Sequence, residues 1–496
     1  MSEKANANLY ALLRRRFAGR LDTPAIETPD GKQLTYADVE RESARFANRL
    51  LALGARAGDR VAVQVDKSPE ALCLYLGCLR AGLIYLPLNT GYPERELEHF
   101  FSDAEPRVVV CRPKDVDMVG GLARRCGVAS TVTLGEAGDG SLVEASQADD
   151  RFETVVCGGD DIAAILYTSG TTGKPKGAAL SHDNLGSNAV TLHQVWGFCA
   201  SDVLLHALPL FHTHGLFVAC HCSLLNATPM LLLPRFDAAE VMRLMPRASV
   251  FMGVPTFYTR LLAMPEFGRE QCGHMRLFVS GSAPLLEQTH REFVERTGHT
   301  ILERYGMTEC GMSTSNPLDG ERKAGTVGLP LPGVSLRIVD DEGKAVATGE
   351  IGQIEFKGPN VFRGYWRNPD KTAEDFTDDG FFRSGDLGKL DEDGYVSIVG
   401  RDKDLIISGG YNVYPKEVEL CIDELDGVSE SAVIGVPDAD FGERVTAVVV
   451  AQSETLSEEA IISALRPVLA GYKIPKRIFF LEELPRNAMG KVQKNV

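Results

Sequence analysis

Helix and strand patterns alternate along most of the chain. The segment TYADVERESARFANRLLALG, residues 35–54, places apolar residues at the three- and four-residue spacing of an amphipathic helix. Short runs rich in β-branched residues follow a strand pattern instead, namely DRVAVQV, RVVVC, SVFMGV and MRLFVSG. From about residue 35 to residue 340 this alternation predicts mostly parallel sheets covered by helices, which is the α/β class.

The pattern changes twice towards the end of the chain. Residues 333–400 contain short strands punctuated by glycine (GVSLRIVD, GQIEFKG and GYVSIVG), typical of a small antiparallel, β-barrel-like part. After GRDKD at 400–404, the strands SAVIGV, RVTAVVV and RIFFLEE and a helix near 457–470 indicate a small, mobile α+β unit. A chain of 496 residues is longer than a single hydrophobic core usually supports. We therefore predict a large domain at 1–402 and a small domain at 403–496.

Composition excludes several classes of protein. The chain is 44% hydrophobic and 24% charged, and no apolar run approaches the roughly 18 residues of a membrane span. A formal net charge of −16 disfavours nucleic acid as a partner.

The eleven cysteines are odd in number and lack CxxC spacing, which favours reduced thiols and a cytoplasmic protein. The run Cys220-His221-Cys222 is a poor match to zinc sites. The start, MSEKANANLYALLRRRFAGRL, is interpreted as a surface amphipathic helix and not as a targeting segment.

The stretch LYTSGTTGKPKG, residues 166–177, places hydroxyls, glycines and lysines directly after an apolar strand. It is not a Walker A loop, because Gly170 and Gly173 are three positions apart and Lys174 precedes a proline. Glycines still allow backbone N–H groups to approach phosphate oxygens, and the hydroxyls and lysines add donors and positive charge. We interpret the stretch as a phosphate-binding loop; the alternative is a flexible surface turn.

Two further segments, MRLFVSGSAPL (275–285) and TILERYGMTE (300–309), have the same strand-then-loop form. Ligands lie beyond the carboxyl ends of strands in open α/β sheets, so these loops are expected to converge on one crevice. Together with RSGDLG, GRDKDLIISGGYNVYPKEVE and PRNAMGKVQK, they resemble the adenylate-forming superfamily of acyl-CoA synthetases, adenylation domains and luciferases. The resemblance runs from about residue 20 to the end, and relatives continue for about one or two further helical turns beyond KNV.

The resemblance implies two half-reactions that use ATP, Mg²⁺ and CoA. A carboxylate attacks the α-phosphorus of ATP, and the CoA thiol then attacks the acyl-adenylate. Lys403 matches the hinge position, about which rotation removes the catalytic Lys491 and brings Gly409 and Gly410 to the pantetheine channel. The catalytic residues so implied are Lys491, His212, Thr308 and Glu309, and the magnesium residues are Glu309 and Thr168.

The nucleotide and CoA contacts implied by the same motifs are Thr168, Ser169, Gly170, Thr171, Thr172, Gly173, Lys176, Ser282, Ala283, Glu303, Tyr305, Gly306, Met307, Thr308, Asp386, Arg401, Gly409 and Gly410. Simpler interpretations stay open for several of these residues. Lys491 is alternatively a solvated lysine, Glu309 a helix cap, Tyr305 or His212 a core residue, and Asp386 a turn cap.

Four further segments (HALPLFHTHGLFVA, GVPTFYTRLL, SGSAPLLEQTHREF and LPRNAMGKVQKNV) are similar to the malonate-activating members of this superfamily. A pocket for malonate or methylmalonate needs a cation for the second carboxylate, because a buried unpaired charge is costly. By resemblance the candidate is Arg291, with Arg260 and His212 behind it and Thr213 and Met307 as pocket walls. Alternatively, Arg291 pairs on the helix surface with Glu287 or Glu295.

Three other functions remain open from the sequence. The chain could activate a short monocarboxylic or aromatic acid, charge a carrier protein, or act as a nucleotide-binding sensor without catalysis. No carrier-like segment is fused to it, and the presence of Lys491 and Glu309 argues against the sensor. We expect a monomer or a weak homo-oligomer whose partners are small molecules and neither membranes nor nucleic acids.

Overall fold

The computed structural model describes residues 6–144, 149–168, 175–408, 411–438, 441–452, 456–486 and 491–494. Helices and strands are labelled separately in chain order. The α-helices are α1 Leu9–Phe17, α2 Tyr36–Ala52, α3 Pro69–Arg80, α4 Glu94–Ala104, α5 Val116–Arg125, α6 Ser141–Glu144, α7 His182–Val195, α8 His221–Asn226, α9 Ala238–Leu244, α10 Pro255–Leu262, α11 Arg269–Cys272, α12 Glu287–Thr297, α13 Pro369–Asp375, α14 Pro415–Asp423 and α15 Glu458–Leu465. Short 3₁₀ turns cover Pro113–Asp115, Met245–Arg247 and Asp402–Asp404, and His214–Cys220 forms a π-helical turn.

The strands are β1 Pro24–Glu27, β2 Gln33–Thr35, β3 Arg60–Gln64, β4 Ile84–Pro87, β5 Val108–Cys111, β6 Ser130–Thr133, β7 Ile162–Thr168, β8 Lys176–Ser181, β9 Leu204–His206, β10 Met230–Leu232, β11 Val250–Gly253, β12 Leu277–Ser280, β13 Leu302–Met307, β14 Gly311–Ser315, β15 Leu329–Pro330, β16 Ser335–Val339, β17 Gly352–Lys357, β18 Gly364–Tyr365, β19 Phe382–Leu390, β20 Val396–Arg401, β21 Ile406–Ser408, β22 Tyr411–Val413, β23 Val428–Asp438, β24 Gly442–Ala451 and β25 Arg477–Leu481.

Two large sheets form the first part of the molecule. One has the order β18-β8-β7-β4-β3-β5-β6 and the other β15-β14-β13-β12-β11-β9-β10-β1-β2. Strands β3 to β6 and β7 pair in parallel in the first sheet, and β9 to β13 do so in the second. The predicted α/β class is therefore confirmed, and the four predicted strand runs correspond to β3, β5, β11 and β12.

Helix α2 shows why the predicted helix forms where it does. The Thr35 hydroxyl accepts from the Asp38 backbone N–H, and the Asp38 carboxylate accepts from the Thr35 N–H, which is a capping box. One stripe of the helix, including Val39, Phe46 and Leu50, is fully buried. Capping therefore fixes the start of α2, and burial of its apolar stripe fixes its orientation.

Within residues 333–400 the strands pair in antiparallel register, as predicted. Strands β16, β17, β19 and β20 form a four-stranded sheet in that order. Beyond the 3₁₀ turn Asp402–Asp404, strands β21 to β25 form another sheet, against which α14 and α15 pack. Ile406, Val433 and Ile478 belong to a hydrophobic core made only of residues from this small unit. Its helix α15 is shorter than the predicted 457–470.

One predicted loop is a strand in the structure. The residues YGM after Glu303 and Arg304 continue β13 to Met307, because they pair in antiparallel register with β14. A Cβ at Gly306 would lie 2.0 Å from the Gly311 carbonyl oxygen, so only glycine fits at this irregular pairing. Separately, none of the described helices is long and apolar enough to cross a membrane.

Candidate active site

The phosphate-binding loop predicted from the sequence joins β7 to β8. Thr168 ends β7 and lies opposite Lys176, the first residue of β8, in an antiparallel hairpin. The Lys176 ammonium lies 5.0 Å from the centre of the Tyr365 ring. The loop residues Ser169, Gly170, Thr171, Thr172 and Gly173 lie outside the described residues, as do Gly409 and Gly410.

Glu309 is a buried carboxylate that connects this hairpin to the end of β13. Its Oε1 accepts a hydrogen bond of 3.3 Å from the Tyr365 hydroxyl, while the Thr168 hydroxyl donates to the Lys176 carbonyl at 3.4 Å. Burial raises the pKa of Glu309, and the nearby hydroxyls of Tyr365 and Thr168 lower it in part. Thr308 is half-buried next to it. A carboxylate and a hydroxyl at one place fit a hard cation that takes oxygen ligands.

The described residues contain no group of three or more His, Cys, Asp or Glu side chains that could hold a metal by themselves. Magnesium commonly takes only one or two protein carboxylates and completes its shell with water and substrate phosphates. Glu309 and Thr168 therefore fit a magnesium ion that arrives with a nucleotide, and they do not form a closed metal cage.

Asp386 joins two of the predicted nucleotide contacts. The Tyr305 hydroxyl donates to Oδ2 of Asp386, and Arg401 Nε lies 3.0 Å from Oδ1. Asp386 and Arg401 lie opposite each other in the register of β19 and β20. The Asp386 charge raises the pKa of Arg401, and burial raises the pKa of Tyr305. The Tyr305 ring stacks on Phe356 at a centroid distance of 5.9 Å.

Lys491 lies in the same region although it comes from the end of the chain. The surrounding protein lowers the pKa of Lys491, mainly because nearby groups shield the ammonium from water and next because of the positive charge of Arg401. The charges of Asp386 and Glu309 favour its protonated form. The structure thus brings the predicted catalytic lysine within electrostatic reach of the predicted ribose, phosphate and magnesium residues.

Two histidines lie on the acyl side of the site. Burial, together with the positive charges of Arg304 and Lys491, lowers the pKa of His212 to about 4. His214 Nδ1 lies 3.4 Å from the Ser282 hydroxyl. Ser282 has a φ of 72°, which is strained for a residue other than glycine and occurs often at functional sites. Burial also lowers the pKa of His214 well below its ordinary value, so the surroundings of both histidines favour the neutral imidazole.

Arg304 is the main feature that the sequence reasoning missed. The residue is 3% exposed, and among the described residues its Nε and Nη2 have no hydrogen-bond partner. A Cβ at Gly281 would lie 2.5 Å from Nη1, so the glycine makes room for the guanidinium. Burial lowers the pKa of Arg304 to about 9, which leaves it charged at neutral pH.

Other buried polar atoms near the same strand ends also lack a partner among the described residues. They are Thr213 Oγ1, His214 Nε2 and Ser280 Oγ. Buried polar groups are nearly always hydrogen-bonded, so an unpaired group of this kind indicates a ligand or ordered water. Together with the guanidinium of Arg304, these groups offer several buried polar atoms to an anionic or polar ligand.

The remaining predicted residues lie in different surroundings. Arg291 on α12 and Arg260 on α10 are exposed, so their roles as substrate ligands stay predictions. Glu303 is buried, and its Oε1 accepts from the Leu285 N–H at 3.3 Å, which holds the loop after β12. Met307 and Ala283 are half-buried beside that loop. Lys403 lies in the 3₁₀ turn between β20 and β21.

A second buried cluster was also missed, because its members are far apart in sequence. Lys67 Nζ lies 2.8 Å from His206 Nδ1, and His206 Nε2 donates to the Gly215 carbonyl at 2.9 Å. Burial lowers the pKa of Lys67 to about 7. This chain of contacts ties the loop after β3 to the π-helical turn that carries His214. Neither Lys67 nor His206 stands in a recognisable sequence motif, so the sequence alone did not indicate that they meet.

The hairpin that carries Thr168 and Lys176, the buried Glu309 and the Asp386–Arg401 pair stand at the positions that the sequence motifs assign to nucleotide binding. The sequence profile described as AMP-binding enzyme matches residues 13–366, and the AMP-binding enzyme C-terminal domain matches residues 417–491. The chain belongs to the AMP-binding enzyme family.

Individual relatives are similar over nearly the whole chain. Malonate–CoA ligase from Arabidopsis thaliana is 35% identical, covering 94% of this chain and 84% of the relative. Feruloyl-CoA synthase from Amycolatopsis is 37% identical, covering 94% and 93%. Among solved structures, ATP-bound MatB from Rhodopseudomonas palustris is 56% identical, covers 99% of this chain and 98% of that chain, and has a TM-score of 0.97. Apo MatB has the same identity and coverage with a TM-score of 0.87.

Proposed function

We propose that the chain activates malonate with ATP and transfers the malonyl group to CoA, giving malonyl-CoA, AMP and pyrophosphate. Similarity to a malonate–CoA ligase over 94% of the chain supports this proposal. A feruloyl-CoA synthase is similar to the same degree, so overall identity does not select the acid. The acyl pocket selects it.

The buried, unpaired guanidinium of Arg304 is the observation that carries the choice of malonate. A fatty or aromatic acyl chain would leave this charge without a partner, which costs several kcal/mol. The distal carboxylate of malonate pairs with it, and the buried Thr213 and His214 supply further polar contacts. The extra methyl of methylmalonate meets the pocket walls at Thr213 and Met307.

In the first half-reaction, one carboxylate oxygen of malonate attacks the α-phosphorus of ATP. The bond from that phosphorus to the bridging oxygen breaks, and pyrophosphate leaves. Two anions must approach each other, so positive charge at the reacting atoms lowers the barrier. Lys491 supplies a cation there, while His212 lines the pocket as a neutral group.

The nucleotide is held by groups around the same cleft. Asp386 and Arg401 bind the ribose and phosphate, and Tyr305 with the Ser282 loop encloses the adenine. Glu309 and Thr168 would hold Mg²⁺, which neutralises phosphate charge when bound. We assign the residues between Thr168 and Lys176 to the β- and γ-phosphates.

In the second half-reaction, the CoA sulfur attacks the acyl carbon of malonyl-adenylate. The bond from that carbon to the AMP oxygen breaks, and the thiol proton passes to solvent. We assign residues 403–496 as a small domain that rotates about Lys403 between the two steps. The rotation withdraws Lys491 and brings Gly409 and Gly410 to the pantetheine.

Measurement of AMP release with malonate, methylmalonate, acetate and benzoate, each with and without CoA, tests the proposal. We expect rapid AMP release with malonate and CoA, and malonate-dependent pyrophosphate exchange without CoA. Preference for acetate or benzoate would identify the chain as a synthetase for a monocarboxylic acid instead. AMP release that does not depend on CoA would contradict thioester formation.

A further inference from the structure

The segment that carries Lys491 is fixed to the small domain on both sides. Before it, Arg486 pairs with Glu430 on β23. Arg486 also forms a backbone bridge with Val492, and the Gln493 N–H donates to the Pro485 carbonyl at 2.8 Å. The ends of this segment therefore lie against each other and against β23.

The second attachment is an ion pair from Lys494 to α14. Lys494 Nζ lies 2.5 Å from Oε1 of Glu419. Glu419 is 6% exposed, and the same Oε1 accepts from the Val433 N–H at 2.9 Å. One buried carboxylate thus holds both β23 and the residue three positions after Lys491.

An exposed ion pair contributes little to stability, because water screens both charges. The Glu419 carboxylate is buried, and loss of Lys494 would leave it without a compensating cation. Formation of the Lys494–Glu419 ion pair is therefore strongly favoured when residues 491–494 lie against α14. Since only two residues separate Lys494 from Lys491, the ion pair restricts where the Lys491 ammonium can lie.

We propose that Glu419 and Lys494 are positioning residues that hold Lys491 at the reacting phosphate in the first half-reaction. This inference rests on the role of Lys491 in the proposed function. Proximity catalysis is sensitive to displacements of about 1 Å, so a loosely held lysine would lose much of its effect. Neither residue touches the nucleotide; both act through the backbone of the tail segment.

The test compares the two half-reactions in the full-length protein. We expect Lys494→Met and Glu419→Gln to slow malonate-dependent pyrophosphate exchange by roughly tenfold or more. Thioester formation from supplied malonyl-adenylate and CoA should stay within about twofold of the parent, because Lys491 has left the site in that step. Lys494→Arg keeps the charge and should restore most of the exchange rate.

The ion pair between Lys473 and Glu417 provides a matched control on the same helix. Lys473 Nζ lies 2.6 Å from Oε1 and 2.7 Å from Oε2 of Glu417. Lys473→Met removes a similar contact of α14 but leaves Glu419 in place. We expect it to keep the parent rate of pyrophosphate exchange.

Lys491→Gln, measured alongside, separates failure of the inference from failure of the proposed function. If Lys491→Gln keeps the parent exchange rate, the role of Lys491 itself is wrong. If Lys491→Gln is slow while Lys494→Met and Glu419→Gln are as fast as the parent, the positioning role is wrong. Equal losses in both half-reactions, together with a lower Tm, would show that the ion pair only stabilises the small domain.

Discussion

Neighbouring residues of β13 place an acidic and a basic side chain in different surroundings. Side chains alternate across a strand, so Glu303 faces the Leu285 loop, whereas Arg304 faces Gly281 and the histidine side of the pocket. The acid is paired with backbone, and the guanidinium lacks a partner among the described residues. The side of the strand decides which charge meets the substrate.

Substitution of Arg304 should change the choice of acid. We expect Arg304→Met to lower kcat/KM for malonate by about 100-fold or more, roughly 3 kcal/mol, since the distal carboxylate loses its buried partner. The value for butyrate should fall much less. Steady-state kinetics with both acids measures the difference.

Arg291, the candidate named by the sequence, is compared with Arg304 in the same assay. Because Arg291 is exposed, Arg291→Leu should lower the ratio of malonate to butyrate less than Arg304→Met does. A selective loss of malonate in Arg291→Leu, with none in Arg304→Met, would assign the second carboxylate to α12. Parallel losses of both acids in Arg304→Met would show that the arginine is structural.

The buried acid of β13 gives a pH prediction. Burial raises the pKa of Glu303 to about 8, from an ordinary value of 4.5. Between these pH values the folded protein keeps a proton that the unfolded chain has released, so stability falls as pH rises towards 8. Glu303→Gln stays neutral, and its Tm should therefore rise relative to the parent between pH 5 and pH 8.

Thermal unfolding at several pH values measures this effect. Glu295→Gln, an exposed substitution on α12, is the control and should follow the parent at each pH. A constant offset between Glu303→Gln and the parent from pH 5 to pH 8 would contradict a raised pKa for Glu303.

The functional role of a residue could be predicted from the sequence when the residue stands in a known motif. It could not be predicted when the role depends on burial and on neighbours that only the fold brings close. Tyr305, Asp386, Arg401 and Glu309 stand in recognisable motifs, and the structure brings them together. Arg304 stands beside the same Tyr305, yet its importance depends on burial and on the absence of a partner among the described residues. Neither property can be read from residue order alone.

Among the elements, the 3₁₀ turn Asp402–Asp404 is short and separates two hydrophobic cores. Proline at position 403 would fix φ near −65° and restrict the residue before it. We expect Lys403→Pro to keep malonate-dependent pyrophosphate exchange and to lose thioester formation. Lys403→Ala, which leaves the backbone free to rotate, should keep both half-reactions.

Each half-reaction is measured separately for these hinge variants, by pyrophosphate exchange and by thioester formation from malonyl-adenylate. Equal loss of both in Lys403→Pro would show that the turn is needed for folding and is not a hinge.

Helices and strands with strong local signals were predicted well. The capping box at Thr35 and the apolar runs of β3, β5, β11 and β12 need no distant partner to be recognised. The extension of β13 through Met307 was missed, since it depends on pairing with β14. The shortening of α15 was missed as well, because apolar spacing continued past the residues that form the helix.

At the scale of the whole molecule, the small unit approaches the site of the large one with Lys491, near the end of the chain. Lys491 lies within the electrostatic reach of Asp386 and Glu309, while the core of the small unit is separate. Sequence predicted both units, but the approach of Lys491 to Asp386 and Glu309 depends on contacts between segments that are far apart along the chain.

The free thiols of the chain offer a way to test directly the proposed rotation of the small unit about Lys403. Cys199 is exposed on the large unit, and Cys421 is half-buried on α14 of the small unit. After Cys126→Ser removes a further half-buried thiol, a donor dye on Cys199 and an acceptor dye on Cys421 would report the separation of the two units. Energy transfer should then change when CoA is added to the enzyme holding malonyl-adenylate, and Lys403→Pro should abolish that change.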